Sequence, residues 1–316
     1  MTTKELIRRA EQGDAVLQLR LGLAYRMGDG VPQDDVKAFR WFQLSAEQGN
    51  VRAQYLLGQS YFEAVGIPQD VAAAMKWLRL AAEQGSGAAT VSLGLSYRMG
   101  DGVPQDDVKA FRWFHLAAEQ GNARAQYLLG QSYFEAVGVP QDAAEAMKWL
   151  RLAAEQGSGA ATVSLGLSYR MGQGVPQDYA EAIRWFRLAA EEGYASAQTL
   201  LGMAYGHGEG VPQDYVEAAK WYRLAAEQDN AGGQHLLSVS YLTGDGVPQD
   251  LVRALMWSNL SASEANRAES KRYAEVRDII VAQTTSKQIA EAQRLAREWK
   301  PKTWEELRGT TGGGSD

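Results

Sequence analysis

Glycine-rich acidic loops are the first residues in this sequence whose type and spacing could do chemistry. The run GDGVPQDD at 28–35 and the run GEGVPQD at 208–214 could cradle a phosphate or bind calcium. Both lack the Lys-Ser/Thr pair that completes a phosphate loop and the alternating oxygen ligands of a calcium loop. We therefore interpret them as turns.

The histidines and the search for nucleophile motifs likewise give no evidence of a metal site or a catalytic site. His115, His207 and His235 have no second histidine four residues away on a helix, so histidine-pair metal ligation is unsupported. The chain has no cysteine, no S-x-x-K and no G-x-S-x-G motif. The sequence therefore predicts no catalytic residue, no metal site and no cofactor.

The sequence repeats with a strict period of 36 residues, and this period determines which secondary-structure elements position the other residues. Proline recurs at 32, 68, 104, 140, 176, 212 and 248, and tryptophan at 41, 77, 113, 149, 185, 221 and 257. A period of this length is the signature of a solenoid, in which each unit packs on its neighbours. Solenoids present long surfaces, which favours binding over catalysis.

One unit, residues 50–85, predicts two helices joined by a turn. Asn50 can cap a first helix that runs to about Phe62, and Asp70 can cap a second that ends at Gly85. Glycine recurs in the middle of the first helix, at 58 in this unit, where it costs about 1 kcal/mol against alanine. We expect close helix approach to require this glycine, and we expect the repeated tryptophans to fill the core.

Charge and hydropathy limit the partners. The 316-residue chain has a formal net charge of −6 and a pI of about 5.3, so it lacks the basic surface that nucleic-acid binding needs. No stretch is long and apolar enough for a membrane span, and the start MTTKELIRRAEQG has no signal-peptide run. We expect a cytoplasmic monomer that binds protein or peptide; a periplasmic or secreted location stays open if a signal peptide was removed.

The motifs L-G-x-x-Y, G-x-G-V-P-Q-D and A-x-x-W-x-x-x-A-A-E-Q-G resemble those of the Sel1-like repeat family of bacterial type, a relative of the tetratricopeptide repeat. The resemblance implies an all-α fold, a right-handed α/α superhelical solenoid of two-helix, 36-residue repeats. It also implies an adaptor or scaffold without catalysis of its own. We expect a half-hairpin cap at 1–13, seven repeats at 14–265, capping helices at 266–301 and a flexible tail at 302–316.

A second period of 72 residues overlies the first, since residues 22–93 and 94–165 differ at only seven positions. Carried over from the tetratricopeptide repeat, the groove positions of the first helices would bind a partner on the concave face. They are Arg52, Tyr55, Gln59 and Phe62, then Leu95, Arg98 and Met99, then Arg124, Tyr127, Gln131 and Phe134, then Leu167, Arg170 and Met171.

Alternatives remain open at this stage. Tyr55 and Phe62 could instead pack against the neighbouring unit, and Arg98 could pair with Glu63 or Glu135 as a solvated ion pair. At the level of function, the near-identical blocks also fit a self-assembling structural rod. A hydrolase such as a β-lactamase-like member is the least favoured alternative, because the nucleophile motifs are missing.

Overall fold

The structure, a computed structural model, describes residues 1–264 and 269–311. Across these residues it consists of eighteen α-helices without a β-strand. The helices divide between two compact units, Met1–Ser158 and Gly159–Asp316. None of the described helices is long and apolar enough to cross a membrane.

The first unit is a cap helix followed by four helical hairpins. Each helix packs on the next along the chain, so hairpins and the junctions between them form one continuous core. Its helices are α1 (Thr3–Glu11), α2 (Ala15–Met27), α3 (Asp35–Glu47), α4 (Val51–Glu63), α5 (Val71–Glu83), α6 (Gly87–Met99), α7 (Asp107–Glu119), α8 (Ala123–Glu135) and α9 (Ala143–Glu155).

The second unit has three hairpins and three further helices. Within it α15 packs on both α16 and α17, which closes the array after the last hairpin. Its helices are α10 (Gly159–Met171), α11 (Tyr179–Glu191), α12 (Ala195–His207), α13 (Tyr215–Glu227), α14 (Ala231–Thr243), α15 (Leu251–Glu264), α16 (Glu269–Ala282), α17 (Ser286–Glu298) and α18 (Trp304–Thr311). The predicted all-α repeat of two-helix units is confirmed, and the right-handed superhelical sense stays a prediction.

Side-chain caps begin the helices where the sequence predicts them. The Asn50 carboxamide oxygen accepts the Ala53 backbone N–H at 3.0 Å, and the Asp70 carboxylate accepts that of Ala73 at 2.9 Å. Each cap satisfies one backbone donor that the first helical turn leaves unpaired. Gly85 follows α5 with φ +87°, a left-handed conformation that glycine adopts without strain.

The recurring mid-helix glycines lie where the two helices of a hairpin approach most closely, as the sequence predicts. A Cβ on Gly58 would lie 2.9 Å from Leu78 Cγ, and one on Gly94 would lie 2.4 Å from Phe114 Cε1. The same contact recurs as Gly22 with Phe42, Gly130 with Leu150, Gly166 with Phe186 and Gly202 with Tyr222.

Six of the seven repeated tryptophans lie at the edge of the core and do not fill its centre. Trp41, Trp77, Trp113, Trp149, Trp185 and Trp221 are half-buried, and only Trp257 is buried. Trp113, for example, packs from α7 against the cluster formed by α5 and α6. In the first six repeats the residue after the tryptophan, such as Phe114 or Leu150, is buried instead, because it lies against the glycine of the facing helix.

The C-terminal residues are more ordered than the predicted flexible tail at 302–316. Residues Trp304–Thr311 form α18, and Leu307 is buried at 2% exposure. Residues 312–316 lie outside the described part of the chain, as does the predicted boundary between repeats and cap at 265/266. Thr285 and Gln288 form a capping box at the start of α17.

Candidate functional site

A pocket between the first helices of the second and third repeats brings together four of the predicted groove residues. Gln59 and Phe62 on α4 face Leu95 and Met99 on α6 across a volume of about 220 Å³. Spacings of three and four residues place each pair on one face of its helix. Glu63, Ser92, Ser96 and Asp101 add polar atoms around this apolar pocket.

The pocket exposes a methionine beside half-buried side chains. Met99 is 62% exposed, whereas Phe62 and Leu95 are half-buried. Methionine is unbranched and polarizable, so it adapts to differently shaped ligands. The pocket therefore combines fixed walls with one adaptable side chain.

The tyrosines and phenylalanines of the predicted groove serve two roles at once. Tyr55 and Phe62 pack against the buried cluster of α5 and α6, and Tyr127 packs against that of α6, α7 and α8. Each is nonetheless half-buried, as is Phe134, so part of each ring reaches solvent. These rings therefore pack against the neighbouring unit, as one of the alternatives proposed, and each still has part of its surface exposed to solvent.

Arginines of the predicted groove fall into two classes. Arg98 pairs with Glu135 at 3.0 Å, which settles its partner, and Arg170 holds Glu209 through two hydrogen bonds of 2.8 and 3.1 Å. Arg52 and Arg124 are exposed near the starts of α4 and α8. The Glu135 side chain is half exposed, whereas both side chains of the Arg170–Glu209 pair are about three-quarters buried.

The remaining predicted positions repeat this arrangement. Gln131 donates to the Tyr127 hydroxyl at 2.8 Å and is half-buried. In the second unit, Leu167 packs on the α11 and α12 cluster while Met171 is 55% exposed. Leu167 and Met171 therefore reproduce on α10 the half-buried and exposed pair that Leu95 and Met99 form on α6.

A ladder of hydrogen-bonded glutamines, in which one partner of each pair is buried, was not anticipated from the sequence. The Gln84 amide donates to Gln54 Oε1 at 2.8 Å, and Gln54 in turn donates to the Ala46 carbonyl at 3.3 Å. The same link joins Gln156 to Gln126 and Gln228 to Gln198. The signal was present in the recurring A-E-Q-G motif, whose glutamine reaches back 30 residues. The bond between the two glutamines joins the two helices of one hairpin, and the bond from Gln54 to the Ala46 carbonyl joins that hairpin to the preceding one.

Buried ionisable groups in repeats six and seven are neutral and structural. Burial lowers the pKa of His235 to about 4, with the positive charge of Arg272 acting in the same direction. Burial also raises the pKa of Tyr222 to about 12. His235 stacks on Tyr273 with ring centroids 4.2 Å apart, so it packs as an aromatic ring. Among the described residues, no group of three His, Asp or Glu side chains could hold a metal ion.

Comparison with known proteins connects this architecture to a family. The Sel1 repeat model matches seven consecutive stretches, at 15–50, 51–86, 88–122, 123–158, 160–194, 195–230 and 231–266. The chain belongs to the Sel1 repeat family. These stretches begin and end one residue later than the limits 14 and 265 expected from the sequence.

Solved structures support the same assignment. The chain is similar to a Sel1 repeat protein from Oxalobacter formigenes, with 36% identity over 86% of this chain and 78% of that one and a TM-score of 0.72. It is also similar to a protective antigen of uropathogenic Escherichia coli with an SLR fold, with 28% identity over 98% of this chain and 89% of that one and a TM-score of 0.53. The comparison with curated proteins gave no match. Sel1 repeat proteins are generally protein-interaction scaffolds.

Proposed function

We propose that this Sel1 repeat protein is a non-catalytic scaffold that holds a peptide or a helix of a partner protein on the face formed by α4, α6 and α8. The pocket between α4 and α6 carries the proposal, because it combines half-buried Phe62 and Leu95 with exposed Met99. Aromatic anchors in a partly desolvated pocket dominate the energy of protein interfaces.

The charges around the pocket suggest how a ligand is oriented. Glu63 and Asp101 line it, and Glu63 already pairs with Arg26 at 3.4 Å. Arg124 is exposed near the start of α8. A peptide with an apolar residue for the pocket, flanked by one basic and one acidic side chain, would match this pattern. Among the described residues no feature favours the rod or the hydrolase alternative.

Selection from a random peptide library on the purified chain, followed by affinity measurement on variants, tests the proposal. Met99→Glu introduces a charge at the pocket, and we expect it to weaken the selected peptides at least tenfold. Met27→Glu is the matched control, because Met27 is the equivalent residue one 72-residue block earlier, is 67% exposed and lies outside this pocket. Binding to Met27→Glu should stay within twofold of wild type.

The same experiment also shows which result would contradict the proposal. If the selected peptides bind Met99→Glu as tightly as wild type, the pocket between α4 and α6 does not hold them. Thermal melting of both variants shows whether a lost affinity reflects unfolding, which is not expected because both methionines are exposed.

A further inference from the structure

The C-terminal segment of this chain is bound to α13, the second helix of its own sixth repeat. The Lys302 backbone N–H donates to the Glu227 carbonyl at 2.7 Å, and Lys302 Nζ lies 2.8 Å from the Glu227 carboxylate. The Trp304 ring lies over Gly193, where a Cβ would be 2.4 Å from Trp304 Cγ. Leu307 closes a pocket with Trp221 and Leu224. The segment is thus held by a lysine, a tryptophan and a leucine at positions 302, 304 and 307.

The residues that receive this segment belong to the repeat motif and recur through the chain. Gly193, Trp221, Leu224 and Glu227 correspond, 108 residues earlier, to Gly85, Trp113, Leu116 and Glu119. Every receiving residue type therefore recurs at both places, with Gly193 and Gly85 at the ends of the fifth and second repeats and the other three residues in the sixth and third. The main-chain carbonyl of Glu119 lies in the last turn of α7, where helical carbonyls have no partner within the helix.

At the third repeat this surface faces solvent. A Cβ on Gly85 would meet no other atom within 4 Å, in contrast to Gly193. Leu116 is 40% exposed, and it lines an open pocket of about 400 Å³ with Trp113, Tyr97, Lys109 and Arg112. The third repeat thus presents the receiving surface with the apolar side chains uncovered.

Charge distinguishes the third repeat from the sixth. Lys109 and Arg112 stand at the positions that Glu217 and Lys220 occupy in the sixth repeat. His115 stands where Arg223 lines the pocket of the sixth repeat, so these three positions carry a formal charge of +2 in the third repeat and +1 in the sixth, with histidine counted as neutral. A segment with acidic residues between its tryptophan and its leucine, as Glu305 and Glu306 are in α18, is more strongly attracted here than at the sixth repeat.

We infer that the surface formed by Gly85 and by Trp113, Leu116 and Glu119 of α7, the second helix of the third repeat, binds a short helix of a partner protein that has acidic residues between its tryptophan and its leucine. The helix would carry Lys, Trp and Leu at the spacing of Lys302, Trp304 and Leu307. This surface lies on second helices and is distinct from the α4 and α6 pocket. A second copy of this chain is the weaker occupant, because each C-terminal segment is tethered next to its own site at a high effective concentration.

The first repeat shares the pattern, since Gly13, Trp41, Leu44 and Glu47 stand one 72-residue block before the four residues of the third repeat. A Cβ on Gly13 would also meet nothing within 4 Å, and Leu44 is 44% exposed. The four residue types also recur in the second, fourth and fifth repeats, but Ala73, Glu145 and Glu181 stand there in place of Lys109. The experiment must therefore include the surfaces of the first and third repeats and a leucine of another repeat.

A labelled peptide of residues 299–311, WKPKTWEELRGTT, serves as the probe, titrated into the full chain and followed by fluorescence anisotropy. We expect saturable binding that Leu116→Glu weakens and that the double variant Leu44→Glu with Leu116→Glu weakens at least tenfold. A peptide with alanine in place of both Trp304 and Leu307 should not bind. Leu152→Glu is the matched control, because Leu152 is the corresponding leucine of the fourth repeat, where Glu145 replaces Lys109, and it lies outside the α4 and α6 pocket. This variant should bind as wild type.

Two results would overturn the inference. One is the lack of saturable binding, or binding that the double leucine variant leaves unchanged, while circular dichroism shows that the variant is folded. The other is concentration-dependent dimerisation of the wild-type chain, measured by sedimentation, that Leu116→Glu abolishes. That outcome would make a second copy the occupant instead of a partner helix.

Discussion

Gly94 on α6 lies directly against the ring of Phe114 on α7, so close that a Cβ on residue 94 would be 2.4 Å from Phe114 Cε1. Phe114 is fully buried and has no space to withdraw. This contact and its five equivalents hold the two helices of a hairpin together in six of the seven repeats.

Gly94→Ala is therefore expected to destabilise the protein by about 1–3 kcal/mol, as overpacked cores do, despite the better helix propensity of alanine. Gly232→Ala in α14 is the control, because its Cβ would come no closer than 3.3 Å to a neighbour and that neighbour is the Asn230 side chain. Urea midpoints measure both. Equal midpoints for the two variants would show that α6 and α7 can separate without cost.

Trp257→Ala is expected to cost about 3–5 kcal/mol, the usual loss for a buried aromatic side chain. Trp257 is 7% exposed and meets Trp299 edge to face at 5.7 Å. Trp113→Ala should cost less, about 1–2 kcal/mol, because Trp113 is half-buried. Guanidinium unfolding of both variants gives the comparison, and a larger loss for Trp113 would contradict it.

Ala64→Gly is expected to stabilise the protein by about 0.5–1 kcal/mol. Ala64 ends α4 with φ +57°, a left-handed conformation that costs a residue with a Cβ about 1–2 kcal/mol, partly offset by the greater freedom of glycine in the unfolded chain. The equivalent residue of the next repeat is Gly100 with φ +76°, so Gly100→Ala should destabilise by a similar amount. Thermal melting of both variants measures this. Melting temperatures of Ala64→Gly and Gly100→Ala that shift in the same direction would contradict the prediction.

Stability should fall with pH below about 6.5 through His235. The folded protein holds the pKa of this histidine at about 4, below the ordinary value near 6.5. Between these values the unfolded chain binds a proton that the folded chain does not, so stability is lost as pH falls, by up to about 1.4 kcal/mol per unit. His235→Phe keeps the stacking on Tyr273 and removes the titration. Urea midpoints of both proteins at pH 7, 6, 5 and 4.5 should diverge towards acid, and parallel curves would count against the prediction.

The helical hairpin could be predicted from the sequence because its signals are local. Proline, the turn glycines and the caps at Asn50 and Asp70 specify where each helix begins and ends, and mid-helix Gly58 marks the close approach. Which neighbour fills that space could not be predicted. Trp113 and Phe114 recur with the same period and differ by about 100° around the helix, so their burial depends on the exact angle between helices.

The C-terminal helix and the glutamine ladder were missed for different reasons. The glycine run Gly312–Gly314 favours the prediction of a flexible tail. Thr303 and Glu306 nonetheless exchange hydrogen bonds at the start of α18, and this capping pattern can be recognised in the sequence. Gln54 is polar and was not expected in a core, since its partner Gln84 lies 30 residues away. Four predicted groove residues do meet at one pocket, whereas Arg98 and Arg170 are engaged in ion pairs.

The alternation of phenylalanine and leucine opposite the mid-helix glycines affects misfolding. A chain that paired α2 with α5 instead of α3 would place Leu78 against Gly22, where Phe42 fits, and would leave a void of ring size. A slip of two repeats would present Phe114 to Gly22 with no loss of volume. The first and third repeats are thus interchangeable partners during folding, and domain-swapped or mispaired forms of this protein should be displaced by two repeats.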